Sequence, residues 1–96
     1  MIKSKLVCEM VNGEPYEYYP LGEYIVSAPE VCGGHPTFKY TRIEVAGVID
    51  LVASGEPIQR VVKGYQGRVP QAAIDEALML AAEALVAQTE AMRAKT

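Results

Sequence analysis

Histidine occurs once in this 96-residue chain, at His35, and cysteine only twice, at Cys8 and Cys32. Two thiols cannot build the disulfide framework that staples small secreted domains. Cys32-Gly33-Gly34-His35 sets two metal ligands three residues apart, but a tetrahedral zinc site wants four, and Cys8 is the only other thiol. The same pair lies on a glycine-rich loop without a third group to orient a nucleophile and base, and no two carboxylates have the spacing of an acid and its partner. The expectation is no metal, no cofactor and no catalytic residue. Long apolar runs are missing as well: a stretch such as Leu78 to Ala82 falls far short of the ~20 residues of a membrane-spanning helix. The amino terminus reaches Lys3 and Lys5 before any hydrophobic region of signal-peptide length, which predicts a cytoplasmic protein with reduced thiols.

What is present is a small, half-apolar chain with few aromatic residues, 7% of the total. At 10.4 kDa a folded chain keeps a surface of roughly 5,400 Å² out of about 15,000 Å² unfolded, enough for one modest core. A single domain over 1–96 is expected, without room for a deep enzyme pocket. The formal net charge of -3 argues against a purely electrostatic nucleic-acid or membrane binder. That average conceals an uneven distribution. Residues 1–37 carry two lysines against five glutamates, and residues 72–96 carry two cations against four carboxylates. Only residues 38–71 are basic, with Lys39, Arg42, Arg60, Lys63 and Arg68 against Glu44, Asp50 and Glu56.

Residues 1–40 read as strands. Leu6, Cys8 and Met10 alternate with Val7, Glu9 and Val11, and Asn12-Gly13 follows at once, the dipeptide that best tolerates the positive φ of a type I′ hairpin turn. Tyr16 to Tyr19 would return, followed by Tyr24-Ile25-Val26 and, after a loop, by Thr37 to Tyr40. From Val45 the period changes. Val45, Val48, Ile49 and Val52 line one helical face up to Gly55; Pro57 opens a second helix through Ile58, Val61, Val62 and Tyr65. Gly64 and Gly67 end it, and Pro70 begins a third helix that meets neither Gly nor Pro until the chain ends. Three helices in this order over 41–96, with a short turn between the first two, resemble a helix-turn-helix unit. The fold class is thus α+β, mainly helical, with an N-terminal antiparallel hairpin or sheet and a long C-terminal helix. From Pro70 to Lys95 that helix would run about 39 Å, longer than a three-helix core needs. Its apolar positions nevertheless continue through Ile74, Leu78, Ala81, Leu85 and Met92, widened by Met79, Leu80 and Val86. Its second half is expected to pack on the sheet or, the favoured choice, on a second subunit as a homodimer.

The run Gly33-Gly34-His35-Pro36-Thr37-Phe38-Lys39-Tyr40-Thr41-Arg42-Ile43-Glu44-Val45, continued by Ala53-Ser54-Gly55-Glu56-Pro57, Gly64-Tyr65-Gln66 and Ile74-Asp75-Glu76-Ala77-Leu78, resembles the domain-of-unknown-function 433 family. The resemblance covers roughly Tyr24 to Ala84 and leaves out the first 20 residues. It implies a homeodomain-like trihelical fold and an antitoxin role in a bacterial toxin–antitoxin pair, beside a PIN-like ribonuclease toxin. Two departures stand out. Tyr40 occupies a position where the family usually has Gly, so the turn there is expected not to rely on positive φ. Lys63-Gly64 stands where acidic residues are common, which makes the helix-turn-helix more basic and favours contact with DNA.

The candidate DNA contacts are therefore Arg42, Arg60, Lys63, Arg68 and Gln71. The first four would grip phosphates, and Gln71, in the first turn of the third helix, could read an adenine edge. Each has a plainer alternative. Arg42 could tie its loop to backbone carbonyls while Thr41 caps the first helix; the others could form a solvated surface, and Asp75 and Glu76 would repel phosphate. Tyr16, Tyr18, Leu78, Leu85, Val86 and Met92 are the candidate interface residues, toward the toxin or a second copy. The leading expectation is a non-enzymatic, homodimeric antitoxin-like regulator that binds operator DNA and a PIN-like toxin. The alternative is a homo-oligomeric interaction module without DNA binding.

Overall fold

A computed structural model describes residues 5–94, and Lys95, one end of the expected third helix, lies outside them together with Lys3. Four strands, β1 (Val7–Val11), β2 (Glu14–Pro20), β3 (Ile25–Ser27) and β4 (Pro36–Phe38), precede three helices, α1 (Val45–Ala53), α2 (Ile58–Gly64) and α3 (Gln71–Ala94). The sheet is antiparallel, in the order β1-β2-β3-β4. The architecture is α+β, with the sheet first and a long helix last.

The hairpin turn follows from its chemistry. Asn12 and Gly13 both take positive φ, 52° and 80°, which matches the right-handed twist of the flanking strands and pairs Val11 with Glu14. The sheet then buries residues on both faces. Ile25 and Phe38, cross-strand partners, face the helices and pack with Val45, Val48, Val61, Val69 and Ile74. Val26, with Tyr18 and Ala28, forms a second, smaller cluster. Because alternate residues of a strand point to opposite faces, this switch from Ile25 to Val26 is the expected consequence of period two. Thr37, opposite Val26, is fully buried, and its hydroxyl has no hydrogen-bond partner.

Helix ends follow the expected punctuation. Gly55, at φ 98°, lets the chain leave α1, and Pro57 stands just ahead of α2, its carbonyl accepting from Arg60 and Val61. At α3 the Pro70 carbonyl likewise takes the N–H groups of Ala73 and Ile74. Its first turns are anchored by Ala73, Ile74 and Ala77, all at most 1% exposed, whereas every side chain from Ala81 to Arg93 is exposed. The distal half therefore does not pack on the sheet. Among the described residues no helix is long and apolar enough to cross a membrane.

Candidate nucleic-acid interface

The expected helix-turn-helix corresponds to α2, the connection Tyr65–Pro70 and α3. Val61 and Val69 are buried and hold both sides of the connection against the core, while Gln66 and Gly67 reverse the chain at φ 57° and 77°. Six residues make this a longer turn than the three or four of a minimal unit. The polar residues that remain outside are the candidate contacts. Arg60 and Lys63 are exposed one turn apart on α2, Arg68 is exposed on the connection, and Gln71 is exposed as the first residue of α3.

The four are not equally available. Arg60 pairs with Glu56 one turn earlier at 3.4 Å, a solvent-exposed contact of little energetic weight that phosphate could displace. Lys63 and Arg68 have no carboxylate partner among the described residues. Asp75 is exposed one turn beyond Gln71, where its charge opposes an approaching phosphate. Glu76 is oriented differently. Its carboxylate accepts the backbone N–H groups of Glu23 and Tyr24, each at 2.8 Å, and so ties α3 to the loop before β3. Gly22 makes this approach possible, because a Cβ there would stand 2.6 Å from the Glu76 carboxylate.

Arg42 is exposed on the loop before α1, with no side-chain partner among the described residues. Thr41 does not cap α1, contrary to expectation: the residue flanking the helix is Glu44, which makes no side-chain cap. The buried Thr41 hydroxyl instead donates to the Phe38 carbonyl at 2.8 Å and accepts the Ile43 N–H at 3.0 Å, closing the turn after β4. That turn departs from expectation a second time. Tyr40 adopts φ 68° despite its side chain, a conformation that costs a non-glycine residue of the order of 1 kcal/mol or more. Neighbouring groups hold it there. The Tyr40 N–H donates to the Tyr16 hydroxyl at 3.0 Å, and the Tyr40 hydroxyl donates to Glu9 at 2.8 Å.

Sequence reasoning missed the neighbourhood this creates. A cleft of about 360 Å³ between the sheet and the connection is shared by Arg68, Lys39, Tyr24, Tyr40 and Glu23, so one expected cation, Arg68, lines the same space as a lysine, two tyrosines and a glutamate. The Lys39 ammonium lies 5.0 Å and 5.1 Å from the ring centres of Tyr18 and Tyr40, and 3.7 Å from Glu9. Glu9 also accepts a hydrogen bond from Tyr18. The Tyr18 hydrogen bond, then that of Tyr40, holds the Glu9 carboxyl below the usual carboxylate range, with Lys39 adding to the effect. Reciprocally, the Glu9 hydrogen bond pushes the Tyr18 phenol up, and Tyr18, then Tyr40, holds the Lys39 ammonium above the ordinary lysine range. The alternation of glutamate and tyrosine in β2, with Lys39-Tyr40 directly after β4, was the available signal, but the partnership of Glu9 with Tyr40 spans 31 residues.

Two interface candidates change role. Tyr18 is 3% exposed and belongs to the small core beside Val26, so it offers no surface to a partner. Leu78 is half-buried against the main core. Tyr16 is half-buried under Tyr40, whereas Leu85, Val86 and Met92 are all exposed.

The segment from β3 through the proximal part of α3, residues 25–81, matches the family model of a protein of unknown function, DUF433. The chain belongs to the DUF433 family. Neither a curated protein nor a solved structure matches it. The DUF433 match contains Arg42, Arg60, Lys63, Arg68 and Gln71, the core strands β3 and β4, and the Glu76 carboxylate. The β1–β2 hairpin and the exposed distal half of α3 lie outside it. Among the described residues of this DUF433 chain no three His, Cys, Asp or Glu side chains gather into a potential metal site.

Proposed function

We propose that this DUF433 protein is a non-enzymatic, cytoplasmic, antitoxin-like regulator that acts as a homodimer, binds its own operator DNA and neutralises a PIN-like ribonuclease toxin. One observation supports the DNA half above others: the basic segment, residues 38–71, includes α2 and the connection to α3, where Arg60, Lys63, Arg68 and the adjoining Gln71 are all exposed. Arg60, Lys63 and Arg68 would hold phosphates and so place Gln71 at a base edge. Glu76 is engaged by the loop before β3, while Asp75 stays exposed one turn beyond Gln71. The toxin half follows from the resemblance described for Gly33 to Leu78 and needs a genetic neighbour to support it.

With so few cations, binding should be modest and steeply salt-dependent. The test is a mobility shift of DNA from upstream of the gene, at low salt, with the protein alone and with its neighbour's product. A retarded fragment is expected, and replacing Arg60, Lys63 and Arg68 by Ala should flatten the logarithmic salt slope by roughly 0.9 for each phosphate that is no longer neutralised. A fragment left unshifted under both conditions would favour an interaction module without DNA binding.

A further inference from the structure

The distal half of α3 projects beyond the core. From Ala81 to Arg93 every side chain is exposed, including Leu85 at 65% and Met92 at 63%. These two are not scattered. Ile74, Leu78, Ala81, Leu85, Gln88 and Met92 alternate steps of four and three residues, the spacing of a coiled-coil seam, and the seam begins in the buried core at Ile74. The charges of this half, Glu83, Glu90 and Arg93, fall at outer positions of the same repeat. Beside the seam lies an open apolar groove of about 460 Å³, walled by Ile49 of α1, by Leu21 and by Ala77, Leu80, Ala81 and Ala84 of α3 itself. The alanines keep that wall low, so another helix can approach closely.

We infer that the occupant of this groove is the distal half of α3 from a second copy of the chain, crossing antiparallel so that Leu85 of each copy lies over Ala81 of the other and Met92 reaches the turn that begins at Ile74. Two features favour a second copy over a foreign helix. Groove and overhang follow one another on a single helix, so one two-fold crossing covers both features of both chains, and the contact closes on itself. A foreign helix in the groove would leave Leu85 and Met92 in water. The surface area agrees: 6879 Å² is exposed, about 1,500 Å² more than a compact monomer of this mass retains, which accommodates the ~800 Å² per partner of a standard interface.

The pairing specifies the dimer within the proposed function, and its test uses no DNA or toxin, so the two can fail separately. Light scattering on the purified full-length chain should give twice the 10.4 kDa of the monomer. Leu85→Lys and Ala81→Glu, both at exposed positions, should each give the single-chain mass with an unchanged circular dichroism spectrum. Mixed in equal amounts the two variants should regain the dimer, because the introduced ammonium of one copy then meets the introduced carboxylate of the other, while the second Leu85–Ala81 contact is native. A wild-type chain of 10.4 kDa at tens of micromolar, a dimer indifferent to both substitutions, or two monomeric variants that stay apart on mixing would each overturn the inference.

Discussion

The two halves of α3 are built from nearly the same residues and meet opposite fates. Up to Leu80 the helix is clamped on three sides: Ala73, Ile74 and Ala77 enter the core with Phe38 and Val48, Leu78 and Leu80 lie half-buried, and Glu76 reaches the loop before β3. Beyond Leu80 the same Ala, Leu and Met composition continues with its side chains exposed. A segment this short is marginal as an isolated helix, so helix propensity holds the distal half only while the anchored half nucleates it. Helical propensity is thus a property of the whole stretch, whereas stability is local and is supplied by what the sheet and α1 offer to each turn.

Ile74→Ala should draw the sharpest line between the halves. Ile74 is fully buried beside Phe38 and Val48, and its truncation should cost about 2–5 kcal/mol in urea unfolding, a transfer loss plus a cavity. An effect below about 1 kcal/mol, the scale of an ordinary substitution, would mean that the proximal half is as loosely held as the distal one. Second in size is Glu76→Ala, which leaves two backbone N–H groups without their charged acceptor. A loss of about 1–3 kcal/mol is expected, with faster hydrogen exchange at Glu23 and Tyr24 as its signature. Gly22→Ala should mimic it, since the new methyl cannot share space with that carboxylate.

Glu9 provides a smaller effect outside the helix, as a control on how far this clamping extends. Its carboxyl titrates below the ordinary carboxylate value of 4.5 in the folded chain because Tyr18 and Tyr40 donate to it. A depressed folded pKa stabilises the protein above the unfolded value and loses that contribution as pH falls through the folded one. Glu9→Gln should therefore lower the melting temperature at neutral pH and converge with wild type in acid, below the carboxylate range. A difference that persists unchanged in acid would assign the loss to packing.

Most of the architecture could be read from residue order, because its causes are local. Asn12-Gly13 specifies its own hairpin, Gly55 and Pro57 separate α1 from α2, and the change from period two to period 3.6 at Val45 marks where sheet gives way to helix. The arrangement around the candidate site could not, because its causes are distant in sequence. Glu76 meets Glu23 and Tyr24 across 53 and 52 residues. Tyr40 takes a glycine-like φ because Tyr16 and Glu9, from two other strands, hold it there. Tyr18 and Tyr16 look alike on an alternating strand, and only the position of Val26 and Ala28 decides which is buried.

The smallest effect bears directly on the comparison. Leu85→Ala removes a large apolar side chain from a helix, yet at dilutions where the chain is a monomer it should move unfolding by no more than ~0.5 kcal/mol, as for an ordinary surface site. At higher concentration its consequence should grow. If the distal half is covered by a second chain, the wild-type melting temperature rises with protein concentration by mass action, while that of Leu85→Ala rises less. A wild-type midpoint independent of concentration would leave the overhang uncovered by self-association, and a large loss at high dilution would show that Leu85 already packs within one chain. The same substitution thus separates the stability that one molecule supplies to the helix from the stability that a second molecule adds.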